Sequence, residues 1–107
     1  MSTSETWAEV CELDDIDEED VLGFDHDGRT FAIYRSSDGS FHATDGLCTH
    51  ERAHLADGLV MGNIIECPKH NGQFNYKTGT ATRRPACLDL NTYRVRIDAG
   101  QVLLGLD

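Results

Sequence analysis

Cys48-Thr49-His50 and Cys67-Pro68-Lys69-His70 are the two stretches that decide how this chain folds and what it holds. Each stretch supplies one thiol and one imidazole in the same order, and sixteen residues separate the two stretches. Turn-forming residues lie beside both of them, so each Cys–His pair is expected on a short loop. Cys48, His50, Cys67 and His70 are therefore predicted to bind a metal centre, rather than to be two buried thiols and two surface imidazoles that coincide by chance.

The mixed order of the ligands favours an iron–sulfur cluster over zinc. Zinc also accepts two Cys and two His, but zinc fingers usually place their cysteines close together and group their histidines separately. Here each loop carries one of each, so both cysteines can reach one iron while both histidines reach the other. This is the ligand set of a [2Fe–2S] centre in which two His replace two Cys on one iron. A structural zinc module stays open as the alternative.

Length and composition predict a single domain spanning residues 1–107. The formal net charge of -10 argues against a nucleic-acid partner or an anionic membrane. Residues 1–10 are mostly polar and no stretch reaches the length of a membrane span, so a cytoplasmic protein is expected. The four cysteines are too few for a disulfide scaffold, and Cys11 and Cys87 are expected to be small buried side chains.

Residues 11–20 hold seven of the nineteen acidic residues. Two interpretations remain for this acidic segment. It is either a solvated turn that aids solubility, or a surface that attracts a basic partner.

Short strands separated by turn signals predict an all-β fold. The predicted strands are 6–11, 21–24, 30–34, 41–43, 59–61, 64–66, 73–76, 92–97 and 101–106. The last two are expected to form a hairpin around 98–100, and the segment 83–85 is expected to be irregular. A hairpin of 59–61 with 64–66 lies between the two Cys–His stretches and would hold one loop rigidly relative to the other. No long helix is expected.

With the flanking residues 53–58 and Gly72-Gln73-Phe74, the two stretches resemble the cluster-binding boxes of Rieske [2Fe–2S] ferredoxins of bacterial aromatic ring-hydroxylating dioxygenase systems. The resemblance covers essentially the whole chain. It implies a Rieske fold, with an antiparallel β-sandwich base and a small cluster-binding subdomain, about residues 45–80, of two loops and a hairpin. It also implies that Cys48 and Cys67 bind the buried iron, while His50 and His70 bind the outer iron through Nδ1.

The same resemblance implies that the chain is an electron carrier and not an enzyme. A carrier of this kind takes single electrons from an NAD(P)H-dependent flavoprotein reductase and passes them to a terminal Rieske oxygenase, through one cluster per chain. An oxygenase subunit would need a second domain with a mononuclear iron, for which the chain is expected to be too short. A nitrite-reductase small subunit of the same fold typically lacks the ligands.

The chain departs from the high-potential Rieske proteins of respiratory chains at four positions. Those proteins have a disulfide where this chain has Ala53 and Lys69, and a Ser and a Tyr where it has Gly72 and Phe74. The missing hydroxyl donors predict a reduction potential toward the low end of the Rieske range.

Three further residues lie close to the boxes. Glu51 is expected to be solvated, and His54 is expected to be a surface residue rather than a ligand. Pro85, between Arg84 and Ala86, resembles the proline loop that covers the cluster in this family.

Overall fold

The computed structural model describes residues 6–49, 52–69, 71–84, 86 and 88–106. Within that part of the chain there are eleven strands and two 3₁₀ helices, Leu13–Asp15 and Leu55–Asp57. The strands are β1 (Trp7–Glu12), β2 (Asp20–His26), β3 (Arg29–Arg35), β4 (Phe41–Asp45), β5 (Leu59–Met61), β6 (Ile64–Glu66), β7 (Gln73–Asn75), β8 (Ala81–Arg83), β9 (Thr92–Tyr93), β10 (Val95–Asp98) and β11 (Gln101–Gly105). The predicted all-β class is confirmed.

The strands form three antiparallel sheets. The terminal sheet has the order β1-β11-β10, the central sheet has the order β2-β3-β4-β9, and the loop sheet has the order β5-β6-β7-β8. Tight turns set the register of the hairpins. Asp27 and Gly28, for example, both have positive φ (52° and 78°), as a two-residue turn between β2 and β3 requires.

Strand β3 organises the packing of all three sheets. Phe31, Ala32, Ile33 and Tyr34 are at most 1% exposed, so β3 is buried on both faces. Phe31 and Ile33 belong to an apolar cluster with residues of the terminal sheet, and Ala32 and Tyr34 belong to a second cluster with residues of the loop sheet. The alternation of side chains along one strand therefore ties the base to the loop sheet.

Two predicted elements are wrong in detail. The predicted strand 92–97 is two strands: β9 pairs with β4 in the central sheet, whereas β10 pairs with β11 in the terminal sheet. Arg94 lies between β9 and β10, where the chain passes from the central sheet to the terminal sheet. Its guanidinium carbon lies 5.0 Å from the centroid of the Trp7 ring. A run of β-compatible residues does not reveal such a change, because both halves have the same side-chain period.

The second error lies at the start of the segment 83–85, which was predicted to be irregular: Arg83 is the last residue of the edge strand β8 (Ala81–Arg83), which was not predicted. Its residues are polar or only partly buried, so the sequence lacks the apolar alternation that indicates a strand. Pairing of its backbone with β7 defines β8 instead. Pro85 lies outside the described residues.

Outside the Cys–His loops, Cys11 is partly buried against the cluster shared by the terminal and central sheets. Burial, with a smaller contribution from Asp15, raises the pKa of its thiol. Cys87 lies outside the described residues. Within the described part of the chain, no helix is long and apolar enough to cross a membrane.

The acidic segment is anchored at several points rather than loosely solvated. Ile16 is 2% exposed, and Asp15 accepts a hydrogen bond from the Glu12 N–H at 2.9 Å. Glu19 has a positive φ of 61°, and its carboxylate accepts a hydrogen bond from the Gly62 N–H at 2.8 Å, in the turn between β5 and β6. Asp14, Asp17 and Glu18 are exposed. All seven acidic residues of the segment are exposed, so it supports the loop sheet through Glu19 while it presents carboxylates to solvent.

Gly58 provides a test of the packing between the loops. A Cβ atom at Gly58 would lie 2.1 Å from the carbonyl oxygen of Glu66, the residue before Cys67, so the backbone would have to shift. We expect Gly58→Ala to lower the free energy of unfolding by about 1–3 kcal/mol, measured by urea unfolding with far-UV circular dichroism. Gly105→Ala is the matched control, because its nearest neighbour would be at an ordinary 3.4 Å. Equal stability losses would contradict the proposed clash.

Candidate metal centre

Two backbone hydrogen bonds join the two ends of the first Cys–His loop. The Cys48 N–H donates to the Ala53 carbonyl at 2.8 Å, and the Leu55 N–H donates to the Gly46 carbonyl at 2.9 Å. Gly46 packs tightly against β3, where a Cβ atom would lie 2.5 Å from Thr30 Cγ2 and 2.8 Å from the Phe31 nitrogen. The base of the loop is therefore fixed on β3, and Cys48 is 3% exposed.

The second loop repeats this closure. The Cys67 N–H donates to the Gly72 carbonyl at 2.7 Å, again five residues along the chain, and Cys67 is 1% exposed. Strand β6 enters this loop and β7 leaves it, so the pairing of Glu66 with Gln73 holds its two ends together. The Lys69 N–H points to Cys67 Sγ at 3.4 Å, a contact that would stabilise a thiolate at that sulfur.

A covering segment, residues 84–90, connects the two loops from the side of β8; its described residues are 84, 86 and 88–90. Ala86 packs against Gly72, where a Cβ atom would lie 3.1 Å from both the Ala86 Cβ and the Ala86 nitrogen. The φ of Gly72 is not positive, so packing against Ala86, rather than backbone conformation, leaves little room for a side chain at this position. On the other loop, the Thr49 hydroxyl donates to the Leu88 carbonyl at 2.7 Å.

The two cysteines lie in one apolar cluster. Its buried members are Ala32, Tyr34, Cys48, Leu55, Ile65, Cys67, Phe74, Tyr76, Ala86 and Leu90. The rings of Tyr34 and Tyr76 stack in parallel with centroids 4.5 Å apart. Burial raises the pKa of both phenols, so they stay neutral and place no negative charge beside the sulfurs.

The structure places half of the predicted ligand set. It brings Cys48 and Cys67 into the same buried cluster, whereas His50 and His70 lie outside the described residues, as does Glu51. His54 is exposed at the start of the second 3₁₀ helix. The ring of His42 shares a hydrogen bond with the Ser40 hydroxyl at 2.9 Å, and burial lowers its pKa.

The donor chemistry of the described residues fits an iron–sulfur cluster. Two buried thiols lie on two loops, and each loop is closed by a hydrogen bond from the cysteine N–H to the carbonyl five residues later. A backbone N–H is directed at one of the two sulfurs. Thiolates in such surroundings are the ligands that hold iron–sulfur clusters. A backbone donor to the sulfur is one of the contacts by which a protein adjusts such a centre.

Comparison with known proteins agrees with this chemistry. The sequence-family model of the Rieske [2Fe–2S] domain matches residues 6–94 of this chain. The chain belongs to the Rieske [2Fe–2S] family. The predicted fold and the predicted Rieske-type [2Fe–2S] cofactor are thereby confirmed. The boundaries of the cluster-binding subdomain and the identity of the four ligands stay predictions.

Similar Rieske proteins cover nearly the whole chain. The ferredoxin component of the naphthalene 1,2-dioxygenase/salicylate 5-hydroxylase systems of a Ralstonia species is 40% identical over 104 residues, covering 97% of this chain and 99% of its own. The ferredoxin of carbazole 1,9a-dioxygenase from Nocardioides aromaticivorans is 33% identical, with a TM-score of 0.89, over 95% of this chain and 99% of its own.

A third similar protein is a chain in a complex of reduced oxygenase and oxidized ferredoxin in carbazole 1,9a-dioxygenase. It is 32% identical to this chain, with a TM-score of 0.88, and the match covers 92% of each chain. That complex brings a close structural relative of this chain together with an oxygenase.

Sequence reasoning missed the contacts of the covering segment. The Thr49–Leu88 hydrogen bond joins residues 39 positions apart, and no local pattern indicates it. The small side chain of Ala86 opposite Gly72 was a usable signal, because a close approach of two backbones requires small residues at both positions.

Proposed function

We propose that this chain is the ferredoxin component of an aromatic ring-hydroxylating dioxygenase system, and that it carries single electrons from a flavoprotein reductase to the terminal oxygenase. The similarity to such ferredoxins over nearly the full length of both chains carries this proposal. Two buried cysteines on matched loops support it. The relative found in complex with an oxygenase supports the oxygenase as one partner.

We assign Cys48, His50, Cys67 and His70 as the ligands of the cluster. A bound [2Fe–2S] cluster supplies the one-electron oxidation and reduction. Cys48 and Cys67 would hold the buried iron, since both are buried in the same apolar cluster. His50 and His70 would hold the outer iron. The apolar residues around the cysteines exclude water from the sulfurs, and the Lys69 N–H stabilises charge at Cys67.

The electron donor is proposed to be an NAD(P)H-dependent flavoprotein reductase, and the location is proposed to be the cytoplasm, where NAD(P)H is regenerated. The exposed carboxylates of the acidic segment fit this role, because they would attract a basic surface on the reductase and speed the encounter.

The ligand assignment can be tested residue by residue. We expect Cys67→Ala and His70→Ala to abolish the visible absorption of the cluster, because each removes one ligand and metal binding is coupled to folding. His54→Ala is the control and should keep the wild-type spectrum, since His54 is exposed. Iron and acid-labile sulfide would be measured in each purified protein. A colourless wild-type protein with stoichiometric zinc would contradict the proposed function, and loss of the cluster in His54→Ala would contradict the ligand set.

The acidic segment can be tested by neutralising its exposed carboxylates. We expect Asp14→Asn, Asp17→Asn and Glu18→Gln together to slow reduction by the reductase at low ionic strength and to have little effect at high salt, because salt screens long-range attraction. Asp15 and Glu19 are left unchanged, since both accept backbone hydrogen bonds. The control variant removes three exposed acids elsewhere, Glu9, Asp27 and Asp98. Equal rates for both variants at low salt, measured by stopped flow, would show that the segment does not steer the encounter.

The reduction potential tests the effect of the missing hydroxyl groups. The Rieske range spans roughly -150 to +300 mV, and we expect this protein toward its low end. Phe74 is fully buried in the cluster that contains both cysteines, so Phe74→Tyr would add one donor while keeping the ring. We expect the potential to rise, because a hydroxyl stabilises the negative charge that reduction adds. Spectroelectrochemical titration measures the shift, with an unchanged oxidised spectrum as the control. A lower potential in Phe74→Tyr would contradict this explanation.

A further inference from the structure

Leu88 is the most exposed large hydrophobic side chain among the described residues, at 65%. Its neighbours at two-residue spacing, Ala86 and Leu90, are each 4% exposed. The covering segment therefore directs one residue outward between two that face the cysteines. A single exposed leucine is common on protein surfaces, so exposure alone does not indicate a binding site.

The backbone that carries Leu88 is fixed at three points. The Thr49 hydroxyl donates to the Leu88 carbonyl at 2.7 Å, in the loop of Cys48. On the other side, the Leu90 N–H donates to the Gly79 carbonyl at 2.8 Å, and Asp89 accepts a hydrogen bond from the Ala81 N–H at 2.9 Å. An apolar side chain on a rigid backbone loses little freedom when a partner covers it. Such side chains make effective interface anchors.

Basic side chains are concentrated on the two cysteine loops, at the end of β8 and at the start of the covering segment. Four of the nine Lys and Arg residues of the chain lie there, and all four are exposed: Arg52, Lys69, Arg83 and Arg84. Across the described residues, none of the four forms an ion pair. An apolar anchor with exposed cations around it matches a partner surface that has an apolar pocket with carboxylates at its rim.

Arg83 and Arg84 lie at the edge of the loop sheet opposite the acidic segment. The acidic segment contacts the turn between β5 and β6 through Glu19, and β5 is one edge strand. The covering segment follows β8, which is the other edge strand. The molecule thus offers acidic side chains beside one edge of the sheet, and basic side chains at the other edge and on the two cysteine loops.

We propose that Leu88 anchors the docking surface for the terminal oxygenase, and that Arg52, Lys69, Arg83 and Arg84 form its charged rim. This inference rests on the proposed function, in which the acidic segment attracts the reductase and leaves the opposite edge for the oxygenase. The partner surface is an apolar pocket beside the oxygenase's electron-accepting centre, with acidic residues around it.

Neutral substitutions at Leu88 test the anchor without changing the charge. The probe is the oxygenase component of the Ralstonia naphthalene 1,2-dioxygenase system, mixed in a stopped-flow instrument with dithionite-reduced, cluster-loaded protein. We expect Leu88→Gln to lower the second-order rate of electron transfer about tenfold and Leu88→Ala to lower it less, whereas Leu88→Met should restore most of the rate. Ile97→Gln is the control, because Ile97 is 42% exposed on β10 in the terminal sheet.

Two further rates separate docking from damage to the cluster. Oxidation by ferricyanide, which needs no docking surface, should be the same in Leu88→Gln and wild type, and so should reduction by the flavoprotein reductase. The charged rim is tested by Arg83→Gln with Arg84→Gln, which should weaken the salt dependence of transfer to the oxygenase.

Each outcome decides the proposal. An unchanged rate to the oxygenase in Leu88→Gln, or an equal loss in Leu88→Gln and Ile97→Gln, would overturn it. A loss of the same size with the reductase would show a shared contact and overturn the assignment to the oxygenase. If Leu88→Gln fails to retain its cluster, Leu88→Ala decides in its place. A wild-type protein that is reduced and oxidised by small reagents but transfers no electrons to any oxygenase would instead refute the proposed function.

Discussion

Strand β3 is buried on both faces, and both halves of the molecule pack against it. Phe31 and Ile33 close the apolar cluster of the base, while Ala32 and Tyr34 close the cluster that contains Cys48 and Cys67. The first Cys–His loop is also seated on this strand, because Gly46 lies in contact with Thr30 and Phe31. A strand packed on both sides has little freedom to shift, since protein interiors are close-packed. The position of the cysteines is therefore set by the same residues that hold the sheets together.

Much of this architecture could be predicted from the sequence, because it depends on local patterns. The hairpin β5–β6 lies at the predicted residues, since Gly62-Asn63 is a recognisable turn between two short apolar runs. The Cys–His spacing identified the family. The division of 92–97 between two sheets could not be predicted, because it depends on which distant strand each half contacts. Strand β8 was missed for a similar reason: its backbone pairs with β7, but its side chains are mostly solvent-facing.

At the candidate site, too, contacts between distant segments could not be predicted from the sequence. Residue types and spacing suggested which side chains bind metal, but not what holds the loops in place. The Thr49–Leu88 and Gly72–Ala86 contacts join segments far apart in the sequence, and both arise only when the covering segment lies across the two loops. The acidic segment illustrates the reverse case. Its composition suggested a solvated turn or a binding surface, whereas Glu19 also supports the β5–β6 turn through a backbone hydrogen bond.

The size of the molecule restricts how two protein partners can use one cluster. The accessible surface is 5857 Å², and a standard interface covers about 800 Å² on each partner. Two such interfaces would fit on the surface as a whole, but electron transfer requires each partner to approach the same two loops. Surfaces at opposite edges of the four-stranded loop sheet would then overlap where they meet those loops. Under the proposed function, the reductase and the oxygenase would therefore bind one after the other. Arg83 and Arg84 at one edge and the acidic segment at the other would let the two proposed partners be recognised through charges of opposite sign.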